Sequence, residues 1–352
     1  MKRLTGEERI RRALQRQEPD VVPHFELGVA KNVINAIVPG ATYKDFVEAM
    51  DHDAIVVFDK VGAWSYEKVD AEKKIFRDQW GSLIQYTSEA LAHPLEPAIK
   101  SEKDLENYGA PDPDEEWRYK YLKGVLKRFK GQKAVFAHVT DVFDVAKDFL
   151  LGDEPYYAAM VENPELVDRV NDIVLDYSLG YIRNCIELGA DFLLITGDFA
   201  MTEGPFVSPK HTARFLTPPL KKMVDLAHSF GVPVIKHTDG NITKIFDLIV
   251  HTGIDGLHPI DPMAGMDLGE AKERYGHKIC LMGNVNCGAT LSWGTLDEVR
   301  EEAKTCIRKA AYGGGYICAS SNSIHSGVKP ENYVAMMQAN KEYGAYPLKL
   351  DE

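Results

Sequence analysis

Few cysteines, no long apolar run and a deficit of basic residues set the first limits on this 352-residue chain. Its five cysteines (Cys185, Cys280, Cys287, Cys306 and Cys318) are odd in number and form no CxxC pair. That argues against a disulfide framework and a dithiol redox motif, and for reduced thiols in a cytoplasmic setting. The longest apolar runs, such as Ala54–Phe58, fall far short of the ~20 residues a membrane span requires. The opening Met-Lys-Arg-Leu-Thr-Gly-Glu-Glu-Arg carries no apolar stretch of the kind a secretion signal uses. Forty-one Lys and Arg face 53 Asp and Glu, a net charge of −12, which is a poor counter-ion for phosphate backbones. Neither a membrane nor a nucleic acid is therefore an expected partner. An apolar fraction of 45% excludes disorder.

What is present is alternation. Eight short β-branched or apolar runs are flanked by turn residues: Val21–Glu26, Ala54–Asp59, Ala134–His138, Phe192–Thr196, Pro233–His237, Gly256–Pro259, Ile279–Gly283 and Gly315–Ser320. Between them lie stretches of helical period, clearest over Pro164–Leu188, Ser208–Phe230, Leu296–Ala311 and Lys329–Tyr343. Asn163-Pro164 and Ser208-Pro209 are cap-then-proline helix starts. Gly189, Gly231 and Gly253 stand where a helix must turn at once into a strand, a position that favours the left-handed conformation. Strand–helix alternation with short returns means parallel strands, and eight of them predict a (β/α)8 TIM barrel, with an open doubly wound sheet as the alternative. No glycine-rich dinucleotide fingerprint follows the first run, which weighs against that alternative. Residues 60–128 break the rhythm. They read as an insertion between the second and third strands, hairpin-like over Trp64–Tyr86, and packed over one end of the barrel. With no repeat and no linker, residues 1–352 are expected to form one domain.

In such a barrel, chemistry sits at the C-terminal ends of the strands. Those ends carry Glu26, Asp59, His138, Asp198, His237 with Asp239, His258 with Asp261, Asn284, and Asn322 with His325. Polar strand ends are common, but imidazoles and carboxylates converging on one mouth supply acids, bases and metal ligands. The most pointed motif is Val234-Ile-Lys-His-Thr-Asp-Gly-Asn241, where two-residue spacing puts His237 and Asp239 on one side of an extended strand. That spacing suits two ligands of one metal, or a carboxylate orienting an imidazole. A helix cap would explain Asp239 but not His237. Asp59 ends an apolar run, where burial would suit it to proton transfer.

Several longer motifs carry a resemblance. Gly6-Glu-Glu-Arg-Ile, Glu18-Pro-Asp-Val-Val-Pro23, Gly204-Pro-Phe-Val-Ser-Pro209, His237-Thr-Asp-Gly-Asn241, Gly253-Ile-Asp-Gly-Leu-His-Pro-Ile260, and Gly313-Gly-Gly-Tyr-Ile317 with Val328-Lys-Pro-Glu-Asn332 resemble the uroporphyrinogen decarboxylase superfamily of TIM barrels. That superfamily also contains cobalamin-linked methyltransferases. The decarboxylase branch holds its polycarboxylate substrate with an arginine stretch, whereas Phe25–Lys31 contains no arginine. Asp59 matches the place of the decarboxylase aspartate, while the family's late histidine falls on Asn322. The methylcobamide:coenzyme M branch binds zinc through His-x-Cys and a distant Cys. Here His237 keeps the first position, Asp239 takes the second, and Asn322 stands at the third.

The resemblance therefore implies a corrinoid-dependent methyltransferase acting on a small methylated substrate, of methoxylated-aromatic or methylamine type. A separate corrinoid-binding protein would supply the corrinoid, and a homodimer is possible in this reading. His237, Asp239, Asp59 and Asn322 are the expected catalytic residues. Glu26, His138, Asp198, His258, Asn284 and His325 are the expected substrate contacts. Zinc would lie on His237 and Asp239, with Cys287, Glu26 or Asp198 as a third ligand. A uroporphyrinogen-type decarboxylase and a non-catalytic barrel that binds a small acid or a corrinoid protein are the alternatives. The tryptophans of the insertion (Trp64, Trp80, Trp117) are candidates for a docking surface.

Overall fold

Parallel pairing organises the computed structural model, which describes residues 3–58, 66–86 and 92–350. Seven strands follow one another around a single sheet: β1 (Ala54–Val57), β2 (Ala134–Thr140), β3 (Phe192–Thr196), β4 (Val234–His237), β5 (Gly256–His258), β6 (Cys280–Val285) and β7 (Tyr316–Ser320). Each neighbouring pair is parallel. The run expected as the first strand, Val21–Glu26, makes only isolated bridges. It still occupies the eighth place. Cys318 N donates to Pro23 O at 2.9 Å on one side, and Asp53 N donates to His24 O at 2.9 Å on the other. Pro23 has no N–H to give a ladder, and His24 N is taken by the Asp53 carboxylate at 2.8 Å, so no regular strand forms. The result is the expected TIM-barrel-like fold.

Strand alternation divides the wall into two faces. Inward lie Ala54, Val56, Ala134, Phe136, Phe192, Leu194, Ile235, Cys280, Met282, Ile317 and Ala319, with Phe25 from the eighth segment. Phe136 stacks between Phe25 and Phe192, with 4.9 Å between centroids on each side. The end nearest the strand N-termini is plugged by α1 (Gly6–Leu14), which contributes Ile10, Ala13 and Leu14 to this interior. There Arg9 binds Asp20 through Nε at 2.7 Å and buried Asp53 through Nη1 at 2.9 Å.

The outer helices follow the sequence reading, with two differences. α2 (Lys120–Phe129) buries Leu122, Val125, Leu126 and Phe129, and is an ordinary barrel helix rather than part of the insertion. α3 (Pro164–Leu188) has the expected bounds, and α4 (Leu296–Ala310) and α5 (Pro330–Tyr343) differ by a residue at one end. The helix expected over Ser208–Phe230 opens into a π turn at Thr212–Leu216 before continuing from Thr217. Pro218 and Pro219 lack the N–H groups that would keep the tighter ladder running. Gly189, Gly231 and Gly253 have φ of 109°, 73° and 91°, as the turn reading requires.

The insertion forms an antiparallel sheet of Glu67–Asp70, Ile75–Arg77, Leu83–Gln85 and His93–Glu96. It seats on the barrel's flank. Buried Trp80 meets Tyr177 of α3 edge-on at 4.9 Å, and Ala98 N and Ile99 N donate to Phe149 O and Leu150 O. Trp80 is thus a packing residue and not a docking surface, and Trp64 lies outside the described residues. Among the described residues no helix is long and apolar enough to cross a membrane.

Candidate metal centre at the mouth of the barrel

The end of β4 is fixed from both faces. Alternation turns Ile235 and His237 inward and Lys236 outward. Lys236, with no exposure, donates to Asp141 Oδ2 at 2.9 Å and Gly197 O at 2.8 Å, and lies 4.2 Å from the Phe199 ring centroid. Register places His237 beside Thr196 on β3 and His258 on β5. Beyond it, the chain turns at Gly240 (φ 84°), whose Cβ position lies 2.6 Å from the Ala200 backbone, so only glycine fits. Asp239 N donates to Asp198 Oδ1 at 2.8 Å, and Gly240 N to Asp261 Oδ2 at 3.1 Å. These bonds draw the loops after β3, β4 and β5 together.

Three donor atoms then converge. His237 Nε2 lies 3.8 Å from Asp198 Oδ1 and 3.7 Å from Asp239 Oδ1. One ligand atom from each of Asp198, His237 and Asp239 lies within 4.8 Å of the others, a grouping no other described residues form. Asn322 Nδ2 donates to Asp239 Oδ2, while Asp239 Oδ1 is buried with no hydrogen-bond partner. Burial first, and then Asp198 and Asp261, push the Asp239 carboxyl up to about 8. Burial, reinforced by Lys236, pushes His237 down to about 3. The Asp239 shift marks crowded acceptors, while His237 is held neutral with a lone pair to offer. A divalent metal answers that need, and a nitrogen with two carboxylate oxygens is a donor set zinc accepts. The residues present fit the group.

Of the expected site residues, Asp198, His237, Asp239 and Asn322 are therefore brought together. His138 is one step away: its Nε2 is 2.7 Å from Thr196 Oγ1, the neighbour of His237, and its ring packs on Phe58. Asp59 lies outside the described residues. Among the described residues, the other expected ones add no donor to the trio. Glu26 has no exposure; it faces away from the interior and accepts Ser320 N at 3.1 Å and Ser320 Oγ at 2.6 Å. Asn284 donates to Ile260 O at 2.7 Å and accepts the Cys306 thiol of α4, so its amide is engaged within the wall. His258 is buried between His237 and Ser320 O, out of a substrate's reach. His325 holds its own loop through Gly327 N and Cys287 O. Cys287 stands apart from the donor cluster. Ser321 Oγ donates to its sulfur, and burial pushes the thiol up, so it stays protonated.

Sequence reasoning missed the Lys236–Asp141 pair and the role of Ser320. A lysine inside the apolar run Val-Ile-Lys-His was the available signal for the first, because a cation there must be paired. Nothing in the sequence distinguished Ser320.

A sequence profile described as Uroporphyrinogen decarboxylase (URO-D) matches residues 5–343. The chain belongs to that family. Among curated URO-D relatives, a uroporphyrinogen decarboxylase of Alkalilimnicola ehrlichii is 23% identical over 68% of this chain and 66% of its own length. The methylcobamide:CoM methyltransferase MtaA of Methanosarcina barkeri is 26% identical over 53% of this chain and 51% of its own. These matches thus span about half to two thirds of those relatives. Among solved structures, a methyltransferase from Methanosarcina mazei superposes with a TM-score of 0.76 at 21% identity, covering 97% of this chain and 99% of that one. The family thus spans decarboxylases and methyltransferases, and the shared fold is the URO-D barrel.

Proposed function

We propose that this URO-D family member is a metal-dependent methyltransferase that moves a methyl group from a small ether or amine to a corrinoid carried on a separate protein. The observation that carries the reading is the trio Asp198, His237 and Asp239, with Asp239 Oδ1 buried and unpartnered. The MtaA relative is named for methyl transfer involving a cobamide, which supports the same direction. Against decarboxylation stands the Phe25–Lys31 stretch: without arginine, a polycarboxylate meets a chain already at −12.

His237, Asp239 and Asp198 would hold the metal. Zinc bound there supplies Lewis acidity toward the departing heteroatom of the substrate. The rest is done by this chain's own groups. Asn322 occupies Asp239 Oδ2 and so turns Oδ1 toward the cluster. Backbone N–H of Asp239 holds Asp198 Oδ1, and Lys236 pins the strand end beneath both. Asp198, with 42% of its side chain exposed, is the trio's open side and the side a substrate would approach. His138 and Thr196 line the interior next to it.

The test is methyl transfer to Co(I) cobalamin from a panel of methoxylated aromatics and methylamines, with zinc supplied. Turnover that disappears in His237→Ala supports the reading. Turnover unaffected by that change, or carbon dioxide release from a porphyrinogen, contradicts it.

A further inference from the structure

The donor trio leaves one buried imidazole without a task of its own. His258 is 1% exposed, and its Nδ1 lies 2.7 Å from His237 Nδ1. We propose that His258 is a positioning residue that fixes which nitrogen of His237 carries the proton, and that the exit of β7 sets two of the three donors at once. This inference deepens the metal reading above and rests on it for its purpose.

Ser320 O can only accept, and His258 Nε2 lies 3.2 Å from it, so Nε2 carries the hydrogen and donates. A neutral imidazole has a single N–H, which leaves His258 Nδ1 a lone pair. The 2.7 Å contact then requires the hydrogen of His237 to sit on Nδ1. His237 Nε2 is left bare, facing Asp198 Oδ1 and Asp239 Oδ1. The opposite arrangement sets the His258 Nε2 lone pair against the Ser320 carbonyl lone pairs in a dry interior, where it costs the most. A metal-binding histidine whose second nitrogen donates to a fixed acceptor is the arrangement that presents a ready ligand.

The same short segment orients Asp239. The chain runs on from Ser320 to Asn322, whose Nδ2 donates to Asp239 Oδ2. Glu26 holds this segment from behind the wall through Ser320 N and Oγ. One strand exit thus governs His237 through His258, and Asp239 through Asn322.

Histidine 15N NMR on chelator-treated protein tests the proton assignment without any metal or turnover. The His237 resonances are identified by their loss in His237→Ala. The wild type is expected to show a protonated Nδ1 and a bare Nε2. His258→Phe removes the acceptor and is expected to shift His237 toward the other tautomer and weaken zinc binding by about 10–100-fold. His258→Asn, whose amide oxygen can take the place of Nδ1, is expected to restore most of that loss, which a purely packing role would not. A protonated Nε2 in the wild type, or the same tautomer and zinc affinity in wild type and His258→Phe, overturns the inference. A wild type that shows the expected tautomer but takes up no zinc contradicts the metal reading alone and upholds the proton assignment.

Discussion

The two ends of the barrel treat charge in opposite ways. At the plugged end, Arg9 is enclosed by Asp20 and Asp53, and every formal charge in that group has a partner within 3 Å. At the mouth, two carboxylates and an imidazole turn their acceptor atoms toward one another, and Asp239 Oδ1 has no partner. The first arrangement holds the plug helix in place. The second, in the function proposed above, would take a cation and gives up stability to do so. A folded domain is only marginally stable, so such unmet groups survive where a ligand uses them.

The largest effect belongs to the plugged end. Arg9→Met leaves Asp53, 6% exposed, without its cation, and is expected to cost about 3–5 kcal/mol in urea denaturation. Zinc binding by the fraction that remains folded should be unchanged. A loss below ~1 kcal/mol would remove the contrast between the two ends.

Why one end was readable and the other only in part follows from what sequence period records. Alternation placed the strands because each must bury one face on the interior and the other under a helix. The left-handed glycines Gly189, Gly231 and Gly253 marked the returns for the same local reason. The eighth stave, Val21–Glu26, reads as a strand and holds its place, but Pro23 suppresses the ladder that defines a regular strand while the chain still runs through the gap. At the mouth, strand ends pointed to Asp198, His237 and Asp239, yet could not say which way a side chain faces. Glu26 sits one residue from inward-facing Phe25 and Leu27, so parity turns it outward; a reader looking only for polar residues at strand ends takes it for a substrate contact. His258 and His237 look alike in sequence. In the proposed metal centre, the Ser320 carbonyl, a backbone atom with no sequence mark, is what would make one a support and the other a ligand.

A smaller effect sharpens the comparison from between the two ends. Burial pushes the Glu26 carboxyl up to about 8, against 4.5 in the open chain. The folded state therefore keeps a proton that the unfolded chain gives up. Stability from this group is full below pH 4.5, falls as pH rises toward 8, and is level above that. The change amounts to a few kcal/mol, at about 1.4 kcal/mol per pH unit. Glu26→Gln should flatten this part of the stability–pH curve, measured by denaturant midpoints from pH 4.5 to 8.5. An unchanged slope would show that Glu26 is ionised when folded.

The smallest effect is at the mouth and has the opposite sign to Arg9→Met. Above about pH 8, where the Asp239 carboxyl is ionised, Asp239→Asn removes like charge beside Asp198 and Asp261 and keeps an oxygen for Asn322. It is expected to raise metal-free stability by about 1 kcal/mol, as relief of a functional site often does. A clear destabilisation would mean that Asp239 serves the fold.

Calorimetric titration of zinc into chelator-treated protein addresses the central claim directly. The account predicts one zinc per chain in the wild type, with binding lost in His237→Ala and weakened at least about 100-fold in Asp239→Asn, since an amide is a poor zinc ligand. No stoichiometric uptake by the wild type, or equal uptake by both variants, would contradict the metal centre formed by Asp198, His237 and Asp239.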